Sequence, residues 1–233
     1  MTNNVITKIN TKQCYNHVVS LGCACNTSLY LKKLGLKLFS LPYDWIFSNL
    51  NMIQHTIEDD FKSFLNPELI NSKKPKQAGH SYYHKRLFNH HNPKDNRDDY
   101  HYYQRCITRF KELLDSSENK LFIHTVYQEP EKYHRHFLEF NSNFKKVNFE
   151  LEDAIRFNSF LSNLTQNYTF IVIIENPNQP ESKVKKNFDE NNLIVYVIDC
   201  LGVSSGEFLT NTIDSSNYQQ IITQFDYDLK QIT

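Results

Sequence analysis

Residues 169–175 read Thr-Phe-Ile-Val-Ile-Ile-Glu, and residues 193–199 repeat the pattern as Leu-Ile-Val-Tyr-Val-Ile-Asp. A strand with one wet face alternates apolar and polar side chains; an unbroken apolar run suits a strand covered on both faces, as in a parallel sheet between helices. Working outward, Leu121–Val126 (LFIHTV) and His17–Leu21 (HVVSL) supply two further strands. Helical spacing fills the intervals. Tyr103, Ile107, Phe110 and Leu114 form one stripe over Tyr100–Leu114, and Leu151–Leu164 is amphipathic. A helix capped by Asn26 or Thr27 runs through Leu29, Leu31 and Leu34 to Gly35, another covers about Asn49–Glu58, and a last one lies near Tyr218–Leu229. The pattern predicts an α/β three-layer sandwich with a mostly parallel central sheet of about four core strands and helices on both faces. It forms a single domain over residues 1–233, with residues 1–16 a polar lead-in. A His/Tyr-rich irregular excursion occupies residues 71–99, and Trp45 is expected in the core.

Composition narrows the function. Lys plus Arg and Asp plus Glu are 26 each, so no global field draws the chain to nucleic acid or an anionic membrane. Five cysteines without a framework spacing point to free thiols in a reducing, cytoplasmic setting. Neither a signal-peptide core nor an apolar run of membrane-spanning length is present. With only 5 glycines, no glycine-rich phosphate loop can be written on this chain, and no cofactor is expected.

The chemistry concentrates in three segments. Ser20-Leu21-Gly22-Cys23-Ala24-Cys25-Asn26 places two thiols between a strand and a helix, where orphan N–H groups and the positive dipole end favour a thiolate. The same turn lies at a strand's carboxyl end, where ligands gather in open α/β sheets. The plain alternative is that Cys23 and Cys25 are small core residues. Leu87-Phe88-Asn89-His90-His91-Asn92-Pro93 carries imidazoles near His80, His84 and His101; a loop histidine folded over the thiol turn would complete a dyad, and solvated surface histidines are the alternative. In Ser40-Leu41-Pro42-Tyr43-Asp44-Trp45 a carboxylate sits among large apolar neighbours; Asp44 either orients the base or caps a helix beginning at Trp45. Arg105 and Arg109, one helical turn apart, can hold a carboxylate or phosphate of a substrate, or join a surface ion pair. A zinc site is not expected: Cys23 and Cys25 lack the two-residue gap of a zinc knuckle, and no second pair follows.

These motifs together resemble a family of unknown function, found in bacteria and large DNA viruses, whose members are described as papain-like cysteine peptidases. The resemblance rests on Ser20-Leu21-Gly22 followed by Cys25, on Ser40-x-Pro42-Tyr43-Asp44-Trp45, on Phe88-Asn89-His90-His91-Asn92, and on Arg105-x-x-x-Arg109-Phe110 leading into Leu121–His124. It implies Cys25 as nucleophile and His90 as its histidine, with His91 where an acidic residue is common; which of the two histidines serves stays open. The thiol at a helix start agrees with papain, whereas the parallel strands that follow do not.

Three functions fit. The first is a cysteine-dependent hydrolase or acyltransferase acting on a peptide, amide or thioester, with Cys25 as nucleophile, His90 or His91 as base and Asp44 orienting it. The second is a glycosyltransferase-like enzyme holding a nucleotide sugar at the strand ends, with Arg105 and Arg109 on its phosphates. The third is a non-catalytic interaction module.

Overall fold

The computed structural model describes residues 13–128, 139–145 and 149–232, so residues 1–12 of the polar lead-in lie outside the described residues. β2 (His17–Ser20), β5 (Lys120–Tyr127), β6 (Tyr168–Asn176) and β8 (Leu193–Asp199) are the four expected runs, all parallel. A fifth strand, β7 (Lys183–Glu190), pairs antiparallel with β8 and closes the sheet in the order β2-β5-β6-β8-β7. Its sequence, Lys-Val-Lys-Lys-Asn-Phe-Asp-Glu, is mostly exposed, and charged side chains are what an edge strand carries to discourage pairing with other chains. Its connection to β8, Asn191-Asn192, has φ of +53° and +66°, the geometry a two-residue hairpin requires.

Because successive side chains alternate across each strand, the sheet divides two cores. Phe122, Phe170, Val172 and Val195 face helices α2 (Leu50–Glu58), α3 (Arg97–Asp115) and α4 (Leu151–Leu164). Leu121, Ile123, Ile171, Ile173 and Ile198 face α1 (Asn26–Lys33) and α5 (Thr212–Thr223). This is the three-layer sandwich of the sequence. The small two-residue strands β1 (Cys14–Tyr15) and β9 (Asp226–Tyr227) pair at its margin.

Three expectations need correction. The excursion over residues 71–99 is not irregular throughout: β3 (Ile70–Lys74) and β4 (Gln77–His80) form an antiparallel hairpin, hidden in the sequence because β3 exposes every residue but Ile70. Trp45 is only partly buried, with the Lys37 ammonium 5.7 Å from its ring centre, and the core at that turn is made by Leu41, Tyr43 and Ile46 instead. The last helix begins at Asn211, whose side chain accepts from Ile213 N and Asp214 N, and it ends at Thr223 rather than reaching Leu229.

Candidate functional site

The carboxyl end of β2 is held from several sides. Leu21 N donates to Ile123 O, while Leu21 O accepts from the Ser48 hydroxyl (2.9 Å) and from Nδ1–H of buried His124 (3.3 Å). Gly22 follows with φ +75°; a Cβ here would collide with the Ser48 hydroxyl and meet Tyr43 O at 2.7 Å, so this position requires glycine. Cys23, buried, has φ +100°, a region that non-glycine residues enter only when the surroundings enforce it; its N–H donates to Ser48 Oγ (3.0 Å), and Ser48 N returns to Cys23 O. The chain thus turns sharply and delivers Cys25 to the start of α1.

Cys25 occupies the N-cap position of α1 without a side-chain cap bond, whereas α2, α3 and α5 all start from an asparagine that caps its helix. Among the described residues, no acceptor meets the backbone N–H groups of Cys25 and Asn26. Uncapped N–H groups at a helix start are donors waiting for an anion or a polarised oxygen. Asn26 itself is buried and strapped in place, its Nδ2 donating to Glu175 Oε1 (3.1 Å) at the end of β6 and its Oδ1 accepting from Thr27 N (2.7 Å). Sequence reasoning missed Glu175, although a carboxylate closing an apolar strand was a visible sign.

The histidine loop crosses above this turn, and each residue of Phe88-Asn89-His90-His91-Asn92 has a distinct contact. Phe88, fully buried against Phe64 and Tyr103, bridges to Ala78 and Ile46. Asn89 accepts from the Gln77 amide (2.8 Å). His90 is exposed, and its Nε2 lies 3.3 Å from Cys25 Sγ, within the reach of a sulfur hydrogen bond. His91 turns the other way: it stacks on Tyr102 at 4.7 Å, and its Nδ1 meets the Tyr103 hydroxyl at 3.3 Å. Burial pushes the His91 imidazole down from its ordinary value, against the pull of Asp99 and with the push of neighbouring His90. Asn92, buried, ties the loop to the β-hairpin through Ser72 and Lys74 O, and to α3 through Asp99, which accepts from Asn92 N (2.7 Å). The irregular excursion is therefore a braced arm carrying an imidazole to the thiol.

Asp44 is fully buried, but its partners are others. Oδ1 accepts from the Ser28 hydroxyl (2.7 Å), and Oδ2 from Leu41 N (2.6 Å) and the Lys37 ammonium. The carboxylate thus fixes α1 to the turn of residues 41–44 and neither meets a histidine nor caps a helix at Trp45. Among the described residues, no acceptor stands on His90 Nδ1. His80 and His84 are buried in the packing beneath the arm, with His80 Nε2 donating to Ser63 O (3.0 Å) and His84 stacked on Phe47. Arg105 and Arg109 line an open hollow on α3 with His101, Gln104, Thr108 and Glu112. That hollow shares no residue with the narrow cleft at the strand ends, lined by Tyr127, Glu175, Pro177, Cys200, Gly202, Ser204 and Leu209. The arginines therefore line a different hollow from the strand ends, where the glycosyltransferase alternative would hold a nucleotide sugar.

Electrostatics at the sulfur run opposite to the thiolate expected of a helix start. Burial, then the Glu207 and Asp44 carboxylates, push the Cys25 thiol up to about 11. The resting site therefore pairs a neutral thiol with an imidazole.

The family model described as "Putative papain-like cysteine peptidase (DUF1796)" matches residues 16–167, more than half of the chain. An uncharacterized protein of Acanthamoeba polyphaga mimivirus is 49% identical over 47 residues, which are 20% of this chain and 21% of that protein. The chain thus spans about a fifth of the length of this curated relative. No solved structure matches. No helix among the described residues is long and apolar enough to cross a membrane.

Proposed function

We propose that this chain, which belongs to the DUF1796 family, is a cysteine-dependent hydrolase or acyltransferase with Cys25 as nucleophile and His90 as base. The observation that carries the reading is the 3.3 Å approach of Cys25 Sγ to His90 Nε2 at the mouth of a strand-to-helix turn. Because the thiol is neutral at rest, the proton moves as the bond forms: His90 Nε2 takes it while sulfur attacks the carbonyl carbon. The carbonyl electron pair shifts onto oxygen, and the uncapped N–H groups of Cys25 and Asn26 are free to donate to it. Collapse of the tetrahedral species expels an amine, alcohol or thiol that leaves with the proton from His90. Water, or another nucleophile, then releases the acyl group from sulfur. Cytoplasmic residence accords with this chemistry, since all five cysteines are free thiols.

Incubation with the activated ester p-nitrophenyl acetate tests the reading. The expected result is p-nitrophenolate release with an acetyl group on the Cys25 peptide by mass spectrometry, formed well before any on Cys14. Acetylation of Cys14 with Cys25 left unmodified would rule the reading out.

A further inference from the structure

We propose that Glu207 sets the substrate class of this site, favouring acyl compounds that carry a positive charge near the reacting carbonyl and disfavouring anionic ones. The inference rests on Cys25 being the nucleophile, and it lies outside the segment that the family model matches.

Glu207 lies on the loop that leaves β8. Residues 203–210 fold back on themselves through the Ser204–Leu209 bridge and the bond from Thr210 N to Val203 O (3.0 Å). Within the tip, Gly206 has φ +85°, and Ser205 Oγ accepts from Glu207 N (3.3 Å) and Phe208 N (3.0 Å). The backbone of Glu207 is therefore fixed by its own turn. The loop is fixed to α1 as well: Phe208 packs edge-on against Tyr30 at 5.2 Å, and Leu209 N donates to the Tyr30 hydroxyl (3.3 Å). Tyr30 is fully buried and stacked on Tyr218 at 4.2 Å, so the anchor is rigid. On its other flank, Ser204 lines the strand-end cleft with Glu175, the carboxylate that straps Asn26 beside Cys25.

Glu207 is thus an exposed carboxylate on a braced loop, pinned on one side to α1, the helix that Cys25 starts, and on the other to the strand-end cleft whose Glu175 holds Asn26. With Asp44, it is one of two carboxylates whose charge opposes ionisation of Cys25, after burial. The two carboxylates differ in a further respect. Asp44 is matched by Lys37, whereas no cation pairs with Glu207 among the described residues. An unmatched negative charge carried on a braced backbone near a nucleophile attracts a cationic group on the incoming molecule and repels an anionic one.

Two thiol reagents of opposite charge, aminoethyl and sulfonatoethyl methanethiosulfonate, test this without a known substrate. Each passes its thioalkyl group to the attacking sulfur, forming a disulfide and releasing methanesulfinate. Rates are read on the Cys25 peptide at low ionic strength and divided by those for free cysteine. The expected cation-to-anion preference is about threefold or more in the native chain, near unity in Glu207→Gln, inverted in Glu207→Lys, and reduced by added salt. A preference unchanged by both substitutions would overturn the proposal. Equal reaction with both reagents would end the charge selection while leaving Cys25 as nucleophile. Modification of Cys14 with Cys25 untouched by either reagent would end both readings.

Discussion

Replacing Cys25 with alanine is expected to abolish transfer of an acetyl group from p-nitrophenyl acetate to the site, and His90→Ala to slow it about 10²–10⁴-fold. The two effects differ because the sulfur forms the bond, whereas the imidazole only moves the proton. The size of the second follows from the neutral thiol: with Cys25 pushed up to about 11, few molecules carry a thiolate at pH 7, and the reaction depends on a base within reach. Among the described residues His90 has that reach, with Nε2 3.3 Å from sulfur. His91→Gln should cost acylation far less, since that ring is engaged by Tyr102 and Tyr103. Cys23→Ala should leave acylation at Cys25 in place. The measurement is the burst of p-nitrophenolate together with the mass of the Cys25 peptide. A His90→Ala variant that acylates at the native rate would show that the imidazole is not the base.

Acid should unfold the protein well before its carboxylates are all protonated, through two histidines beneath the site. His124, on β5, donates Nδ1–H to Leu21 O; His80 donates from Nε2 to Ser63 O while its Nδ1 accepts from Tyr82 N and Tyr83 N. The His80 network requires a neutral ring, since its Nδ1 accepts from two backbone N–H groups. Burial pushes both imidazoles down to about 4. An unfolded histidine titrates near 6.5, so as pH falls the unfolded chain binds the proton first. The stabilisation is complete above pH 6.5 and drains away as the pH drops toward 4. Each ring then accounts for about 3 kcal/mol, and the pair for about 6, against a typical total of about 5–15 kcal/mol. Urea midpoints measured between pH 7 and pH 4 should fall steeply, and more gently in His124→Gln. A midpoint that holds level across this range would contradict the burial of these rings.

The legible part of the fold is the part whose pattern comes from burial on both faces. Strands β5, β6 and β8 and the helix over Leu151–Leu164 follow directly from apolar runs and helical spacing, because nothing but a covered sheet accommodates Thr169–Glu175 or Leu193–Asp199. β7 and the hairpin of β3 and β4 were illegible for the converse reason: edge and surface strands expose their side chains, and their polar sequences read as loop. The Asn191-Asn192 pair was the one local sign of the hairpin that β7 makes. The turn bearing Cys25 was legible from Gly22 and the strand–helix alternation. The spacing of 65 residues to His90 was not, since it depends on how the arm is braced by Phe88, Asn89 and Asn92. Asp44 read correctly as a buried carboxylate in need of partners, but the partners are Ser28, Lys37 and Leu41 N, which no local pattern indicates. Glu207 was invisible, because a single exposed glutamate in a polar loop gains meaning only from what the loop is pinned against.

The sulfur–imidazole contact can be observed directly by nuclear magnetic resonance of ring-labelled histidine, comparing the native chain with Cys25→Ala. The Nε2 resonance of His90 is expected to shift when the sulfur is removed, while those of His91, packed against Tyr102 and Tyr103, stay in place. A His90 resonance indifferent to the loss of Cys25 would contradict it.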